Sequence, residues 1–316
     1  MTTDAAHSEL RVIPLSQIDR NPENPRLLFR PGELEQLMES IRVYGVQVPI
    51  SVYRDGKRYV LIDGERRWRC SLKLNRASIP ALIQEKPSPL TNLLLMFNIH
   101  SLREQWDLMT VALKLPRVIE LLTGEFGARP NERQLGERTG LPRGVIRRSK
   151  MLMELPTRYK DQILDELTKP KSQQRFTEDF FIEMERALTT VERAMPEVID
   201  NRDRARRVLI EKYRKGTISN IVQFRQLAKI ARAEKVEADR PRARSVLARV
   251  LQKNDYSIEQ AYAESVSAAY TERDVLSRIQ SLIERLSLFS PEDIDDDLRE
   301  QLKLLVESAS NLLEAD

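Results

Sequence analysis

The sequence predicts an α+β chain: a small mixed sheet with accompanying helices at the amino end, then an all-helical remainder. Three observations predict it. Short apolar runs bounded by turn residues are confined to residues 10–83. From about Leu90 onward the apolar residues recur three and four apart. The composition, 32% charged with only 10 glycines in 316 residues, favours long helices over extensive sheet.

The elements follow in order. "LRVIPLSQI" reads as a strand leading to a turn at Asn21-Pro22. "PGELEQLMESIRVYG" is an amphipathic helix with Leu34, Leu37, Met38 and Ile41 on one face, ended by Gly45. "VPISVYR" and "RYVLID" are strands joined by the Asp55-Gly56 turn, a strong hairpin signal. A helix starts at Glu65, and "ASIPALIQ" is a last strand. Residues 90–123 supply two helices before a break from Gly124 to Pro130. "NERQLGERTGLPRGVIRRSKMLMELP" gives a short helix, a Gly140-Leu141 turn and a second helix near Pro142, the layout of a helix-turn-helix. Leu135, Val145, Leu152 and Leu155 would hold that pair together, leaving Arg143, Arg147, Arg148 and Lys150 outside. Beyond Pro170 only helices are expected, broken at Gly216, Pro241 and Ser290-Pro291. Apolar stripes from Leu276 to Leu286 and from Ile294 to Leu305 predict a closing helical hairpin, its second helix capped by Ser290.

Composition narrows the function. One cysteine, Cys70, excludes an internal disulfide, and two histidines, His7 and His100, are too few for a Cys/His zinc site. No apolar run is long enough to span a membrane and the amino terminus lacks a signal pattern, so the expected setting is cytoplasmic. The net charge of +4 conceals a segregation: residues 201–250 carry fifteen Lys/Arg against five Asp/Glu, and residues 251–316 carry six against fifteen. A chain so divided fits one that touches nucleic acid with one part and itself or a partner with another.

The most informative stretch is "YVLIDGERRWRCSLKL". An apolar strand runs into Gly64, and the following helix opens with Glu65, Arg66 and Arg67, with Arg69 close behind. The helix dipole already makes that end positive, so these arginines build a field that only an anion relieves. Glycine admits a ligand close to the backbone, and guanidinium groups bind phosphate oxygens two at a time. Cys70 is expected to be a small core residue, and Trp68 and Trp106 to pack in helices rather than stack on a base.

The order of motifs "NPENPR", "SIRVYGVQVPISVY", "YVLIDGERRWR", "IPALI" and the helix-turn-helix resembles the ParB family of plasmid and chromosome partition proteins, over residues 10–160. The resemblance implies a ParB/sulfiredoxin-like nucleotide-binding domain over 1–88 and a helical helix-turn-helix DNA-binding domain over 89–170; the helical carboxy-terminal region over 171–316 lies outside it, and there the apolar stripes alone suggest a dimerisation hairpin at 271–316. It implies that "GVQVPI", through Gly45 and Gln47, faces the cytosine of CTP, and that "GERRWR" cradles the triphosphate. The partners implied are double-stranded DNA, a second copy of the chain and a ParA-like ATPase. Arg143 and Arg147 would reach base edges, Arg148 and Lys150 phosphates.

The family's third element normally reads Glu-Asn-x-x-Arg, the Glu-Asn pair holding magnesium. Here the run is Phe97-Asn98-Ile99-His100-Ser101-Leu102-Arg103-Glu104. Asn98 stays aligned as a magnesium ligand and Arg103 stands two residues further along, while a phenyl ring offers no oxygen to a hard cation. Nucleotide binding is expected; the enzyme chemistry implied is at most weak CTP hydrolysis. The function the resemblance implies is a CTP-dependent DNA clamp in plasmid or chromosome partition; a transcription regulator using the same nucleotide switch, or a nuclease, are the alternative readings, and no Asp/Glu/His cluster near Gly64 suits two-metal hydrolysis.

Overall fold

A computed structural model of the chain describes residues 9–24, 31–101 and 107–314. They form two compact units, Met1–Glu185 and Arg186–Asp316, each described here by itself.

The first unit opens with the mixed sheet. Strands β1 (Glu9–Pro14), β2 (Ile18–Asp19), β3 (Ile50–Asp55), β4 (Arg58–Asp63) and β5 (Ser78–Gln84) lie in the order β1-β5-β3-β4-β2. β1 and β5 pair antiparallel with Leu10 opposite Leu82, β3 runs parallel to β5, β3 and β4 form the expected hairpin, and β2 lies parallel to β4. Asp55 pairs with Arg58, so the turn residues are Gly56 and Lys57, with Gly56 at φ +61°, where a tight hairpin requires glycine. The sheet core is Ile13, Leu15, Ile18, Ile50, Val52, Leu61, Ile79 and Ala81.

Helix α1 (Pro31–Tyr44) buries Leu34 and Ile41, with Leu37 and Met38 partly covered, the stripe expected from its 3-4 spacing. It packs with Cys70 of α2 (Glu65–Lys73). α3 (Pro89–Ser101) and α4 (Leu108–Phe126) follow, and the expected break at Gly124 is displaced: α4 runs on to Phe126 and ends at Gly127, whose φ of +70° supplies the left-handed cap. α5 (Glu132–Thr139), α6 (Arg143–Met153) and α7 (Thr157–Thr168) complete the helical part, with α8 (Glu178–Ala194) beginning in this unit. One core joins α3 to α6: Leu93, Phe97, Val111, Leu115, Val118, Leu122, Leu135 and Ile146.

The second unit is helical throughout its described residues: α9 (Arg202–Lys215), α10 (Gln223–Ala231), α11 (Arg240–Gln252), α12 (Ile258–Ser265), α13 (Ser267–Leu286) and α14 (Asp296–Leu313). Gly216 caps α9 at φ +81°, and Pro241 lies in the first turn of α11, where its missing N–H costs nothing. α13 and α14 are the two closing helices expected from the stripes, but the cap is corrected. Ser290 is held by Asp293 in the preceding turn, Oγ to Oδ2 at 2.6 Å, and α14 is capped by Asp295, whose Oδ1 accepts from Leu298 N at 2.8 Å. Two competent caps stood five residues apart, and the turn consumed the first.

Candidate functional site

The first site grows from Gly64. Its φ of +94° lies in the left-handed region, and a Cβ there would stand 2.6 Å from Ile50 Cγ2, inside the sheet core. Glycine is thus imposed twice, by conformation and by space. The turn carries the chain from β4 directly into the first N–H groups of α2.

The four charged residues that open α2 do different things. Glu65 is buried and accepts from Asn24 Nδ2 at 2.5 Å and from Arg69 Nε at 2.8 Å, so Arg69 closes an i,i+4 pair inside the helix. Arg67 donates Nη1 to Pro49 O at 2.8 Å and to Val48 O, while Nη2 reaches Asp63 Oδ2 at 3.0 Å. It therefore clasps Val48 and Pro49 to the strand end that leads into Gly64. Arg66 stands half-buried between these two, and its charge opposes the rise that burial imposes on the Cys70 thiol. Cys70 is fully buried, Sγ 3.6 Å from Leu34 O, which makes it a core residue as expected. Gly45 has φ +75°, and Gln47 beside it is exposed and donates Nε2 to Tyr44 O.

A polar network beneath this turn was not foreseen. Asn21 is fully buried and donates Nδ2 to Leu61 O at 2.8 Å and Asn92 Oδ1 at 2.9 Å. Pro22 O accepts from Lys114 Nζ at 2.8 Å. The turn at 21–24 thus holds α2 through Asn24, α3 through Asn92 and α4 through Lys114. The motif "NPENPR" was the available signal, since asparagines at a proline turn bond backbone groups by habit.

Of the third element, Phe97 is fully buried in the α3–α6 core and Asn98 is exposed on α3. Arg103, Glu104 and Trp106, and the side chain of His100, lie outside the described residues. No group of three or more His, Cys, Asp or Glu able to hold a metal occurs among the described residues. Asn98 alone is a poor donor set for magnesium, which takes carboxylates and substrate oxygens. Trp68 packs against the sheet core, as expected.

The second site is the α5–α6 pair. Asn131 and Gln134 form a reciprocal capping box at the start of α5, and Gly140, at φ +71°, ends it. Gly136 lets the turn close in: a Cβ there would meet Leu141 O at 3.1 Å. Leu135, Leu152 and Leu155 are buried, Val145 is partly so, and Ile146 joins them. At about 100° per residue, Arg143, Arg147 and Lys150 fall on one outward arc of α6. Arg147 makes an exposed pair with Glu132 at 3.2 Å, a contact worth little in water. Arg148 lies further round the helix and is paired with Asp179 at the start of α8. The structure brings together three of the four basic residues and sets Arg148 on a flank.

No helix among the described residues is long and apolar enough to cross a membrane.

The chain is similar to known proteins over part of its length. The model of the ParB N-terminal domain matches residues 1–98. The chromosome-partitioning protein ParB of Myxococcus xanthus is 30% identical over 154 residues, 48% of this chain and 49% of the relative. The nucleoid occlusion protein of Shouchella clausii is 31% identical over 163 residues, 51% of this chain and 54% of the relative. The chain therefore spans about half the length of the curated relatives it matches. Among solved structures, C-terminally truncated ParB of Caulobacter crescentus complexed with CTP-gamma-S is 23% identical, covering 56% of this chain and 92% of that one at a TM-score of 0.29. With the ParB N-terminal domain model matching residues 1–98, a mixed five-stranded sheet feeding a helical remainder, and the partition motifs in order, the chain is similar to proteins of the ParB family.

Proposed function

We propose that this chain is a nucleotide-switched DNA-binding protein of DNA partition, taking CTP against residues 45–50 and 64–69 and double-stranded DNA on α6. The observation that carries the reading is the clasp of Arg67. One side chain fixes the segment expected to face the base to the strand end that leads into the Gly64 turn, so the two halves of a nucleotide site are held in register before any ligand arrives. Glu65 and Arg69 neutralise one another in this arrangement, and the triphosphate is assigned to Arg66 and to the α2 backbone N–H groups at the helix start.

Arg143, Arg147 and Lys150 share the face that would enter a major groove, with Arg143 and Arg147 toward base edges and Lys150 toward phosphate. In this reading Arg148 buttresses α6 through Asp179 and meets phosphate only at the margin. The buried Phe97 removes the family's magnesium carboxylate, so the switch is read as binding and release, with no hydrolytic step assigned.

The second copy is assigned to α13 and α14. Neither helix has a buried residue, and Leu276, Ile279 and Ile283 on one, with Leu304 and Leu305 on the other, are exposed. Arg273 and Glu284 sit on one flank of the α13 stripe, so two copies crossing antiparallel near Ile279 would bring each arginine toward the other's glutamate. A ParA-like ATPase is the further partner that the family reading carries.

The test is calorimetric titration of the four ribonucleoside triphosphates into the whole chain, with and without DNA. CTP is expected to bind with the highest affinity, and Arg66→Ala to weaken it by about 1.5–3 kcal/mol. Equal affinity for all four, unaffected by Arg66→Ala, would refute the assignment.

A further inference from the structure

We infer that the first turn of α8 carries two positioning residues for DNA recognition: Glu178 holds the start of α4, Asp179 holds the flank of α6, and together they set the direction in which Arg143, Arg147 and Lys150 face. This rests on the DNA-binding reading above and names what aims that face.

Helix α4 takes its cap from a distant part of the chain. Asp107 occupies the N-cap position but makes no side-chain cap bond to the helix. Glu178, 69 residues beyond Met109, supplies one instead: its Oε1 accepts from Met109 N at 2.5 Å, where an open N–H group and the positive end of the dipole both favour a carboxylate. The next residue reaches a different helix. Asp179 Oδ1 accepts from Arg148 Nη2 on α6. Between these two holds α4 and α6 already touch, since the fully buried Ser149 donates Oγ to Leu108 O at 3.5 Å. The start of α8 therefore braces the two helices where they meet.

The brace stands on a fixed base. Phe180 and Phe181, which follow the two carboxylates, are fully buried with their rings edge to face at 5.1 Å. Phe176 lies 5.4 Å from Phe180, and Tyr159 of α7 lies 5.7 Å from Phe181. Thr177 Oγ1 accepts from Phe180 N at 3.3 Å, which fixes where α8 begins. Both carboxylates are thus mounted on a packed helix start, as a positioning device requires.

The Arg148–Asp179 pair is open to solvent, so it adds little to folding. What it restricts is the roll of α6. Arg148 lies about 100° round the helix from Arg147, and a tether on that flank fixes which arc looks outward. A helix rolled by a fraction of that angle carries the Arg147 guanidinium away from a base edge, where a hydrogen bond tolerates little displacement. On charge alone an aspartate beside a DNA-reading helix would repel the duplex. Its place there follows if Arg148 is the tether of α6 and not one of its phosphate contacts.

The experiment uses the whole chain and fluorescence anisotropy on two duplexes, one that the wild-type chain selects from a random-sequence library and one of random sequence. The ratio of the two affinities is the readout, because a loss of stability alone lowers both together. Asp179→Asn is expected to lower the ratio about threefold to fivefold, the range an exposed ion pair can supply. Were Asp179 only a bystander charge, its removal would strengthen binding to both duplexes, and that result overturns the proposal. Arg148→Asp with Asp179→Arg rebuilds the pair with its polarity reversed and is expected to recover most of the ratio. An unrecovered ratio, with helical circular dichroism retained and the slope of log affinity against log salt reduced by about 0.9, assigns Arg148 to a phosphate and overturns the tether. At α4, Glu178→Ala is expected to lower the ratio and Glu178→Gln, which keeps an oxygen for Met109 N, to hold it. A wild-type ratio in Glu178→Ala overturns the hold on α4. Wild-type chain that selects no duplex overturns the DNA reading itself, whereas a ratio lowered by Arg147→Ala and untouched by Asp179→Asn overturns this inference alone.

Discussion

Replacing Gly64 by alanine tests the geometry of the nucleotide turn most directly. Alanine at φ +94° costs about 1–2 kcal/mol in the left-handed region. Its Cβ would also stand 2.6 Å from Ile50 Cγ2 and 3.1 Å from Arg67 Nη2. Ile50 is fully buried between β4 and β5 and has no room to withdraw, so overpacking adds about 1–3 kcal/mol. The sum, about 2–5 kcal/mol, is a large fraction of a domain's stability. Both tryptophans of the chain, Trp68 and Trp106, lie in the first unit, so urea unfolding followed by tryptophan fluorescence reports that unit alone. Because the intruding methyl also displaces the Arg67 fork, triphosphate affinity should fall even where the folded state is fully populated. A shift below about 0.5 kcal/mol with unchanged nucleotide affinity would refute the argument that Gly64 is fixed by sterics.

Three further outcomes are expected. Burial pushes the Glu178 carboxyl up to about 7, with Asp107 and Asp179 adding to the rise and the backbone N–H of Met109, at 2.5 Å, opposing it. The folded state therefore holds that proton more tightly, and the stability it contributes is present below the ordinary carboxylate range and lost as pH rises through about 7. Glu178→Gln keeps an oxygen for Met109 N and should flatten that fall by on the order of 2 kcal/mol, discounted for partial solvent access; an unchanged pH profile in thermal unfolding would contradict it. Arg147→Ala should lower affinity for the specific site by roughly 1–3 kcal/mol and relax one base position, whereas Lys150→Ala should weaken binding to all sequences alike; equal losses on every DNA tested would remove α6 from the groove. Ile279→Glu with Ile283→Glu should convert the nucleotide-free chain from dimer to monomer in sedimentation, and a persisting dimer would place the contact elsewhere.

What the sequence made legible divides by physical cause. Periodic signals were read correctly because a helix or strand buries one face whatever its surroundings: Leu34 and Ile41 on α1, the β3–β4 hairpin, and the α5–α6 pair with its glycine turn are all where their spacing put them. Helix ends were less legible, since several residues competed for each. Gly124 and Gly127 could both stop α4, and Ser290 and Asp295 could both cap α14; the outcome depended on which had another partner. The charge pattern was legible only in part. Four ionic residues stand at the start of α2, where Glu65 pairs with Arg69 and Arg67 donates to carbonyl oxygens and to Asp63. A count of charges cannot distinguish those aimed at a ligand from those that build the wall behind it.

The turn at 21–24 shows most sharply why such walls escape a one-dimensional reading. Asn21, Asn24 and Asn92 are polar, short and aperiodic, so nothing in their spacing marks them as core, yet all three are buried. Each is tolerated there because it is paired: an asparagine amide without partners would cost about 1–3 kcal/mol, whereas Asn21 satisfies the Leu61 carbonyl and Asn92 at once. Four residues thereby touch the start of α2, the first turn of α3 and, through Lys114, the helix α4 on which α6 packs by way of Ser149 and Leu108. A rearrangement at Glu65 strains Asn24 first, and because the turn is too short to absorb the strain alone, α3 and α4 inherit it. The elements that would read DNA are thus mechanically continuous with the glycine turn that would hold a nucleotide, through side chains that no hydropathy pattern selects.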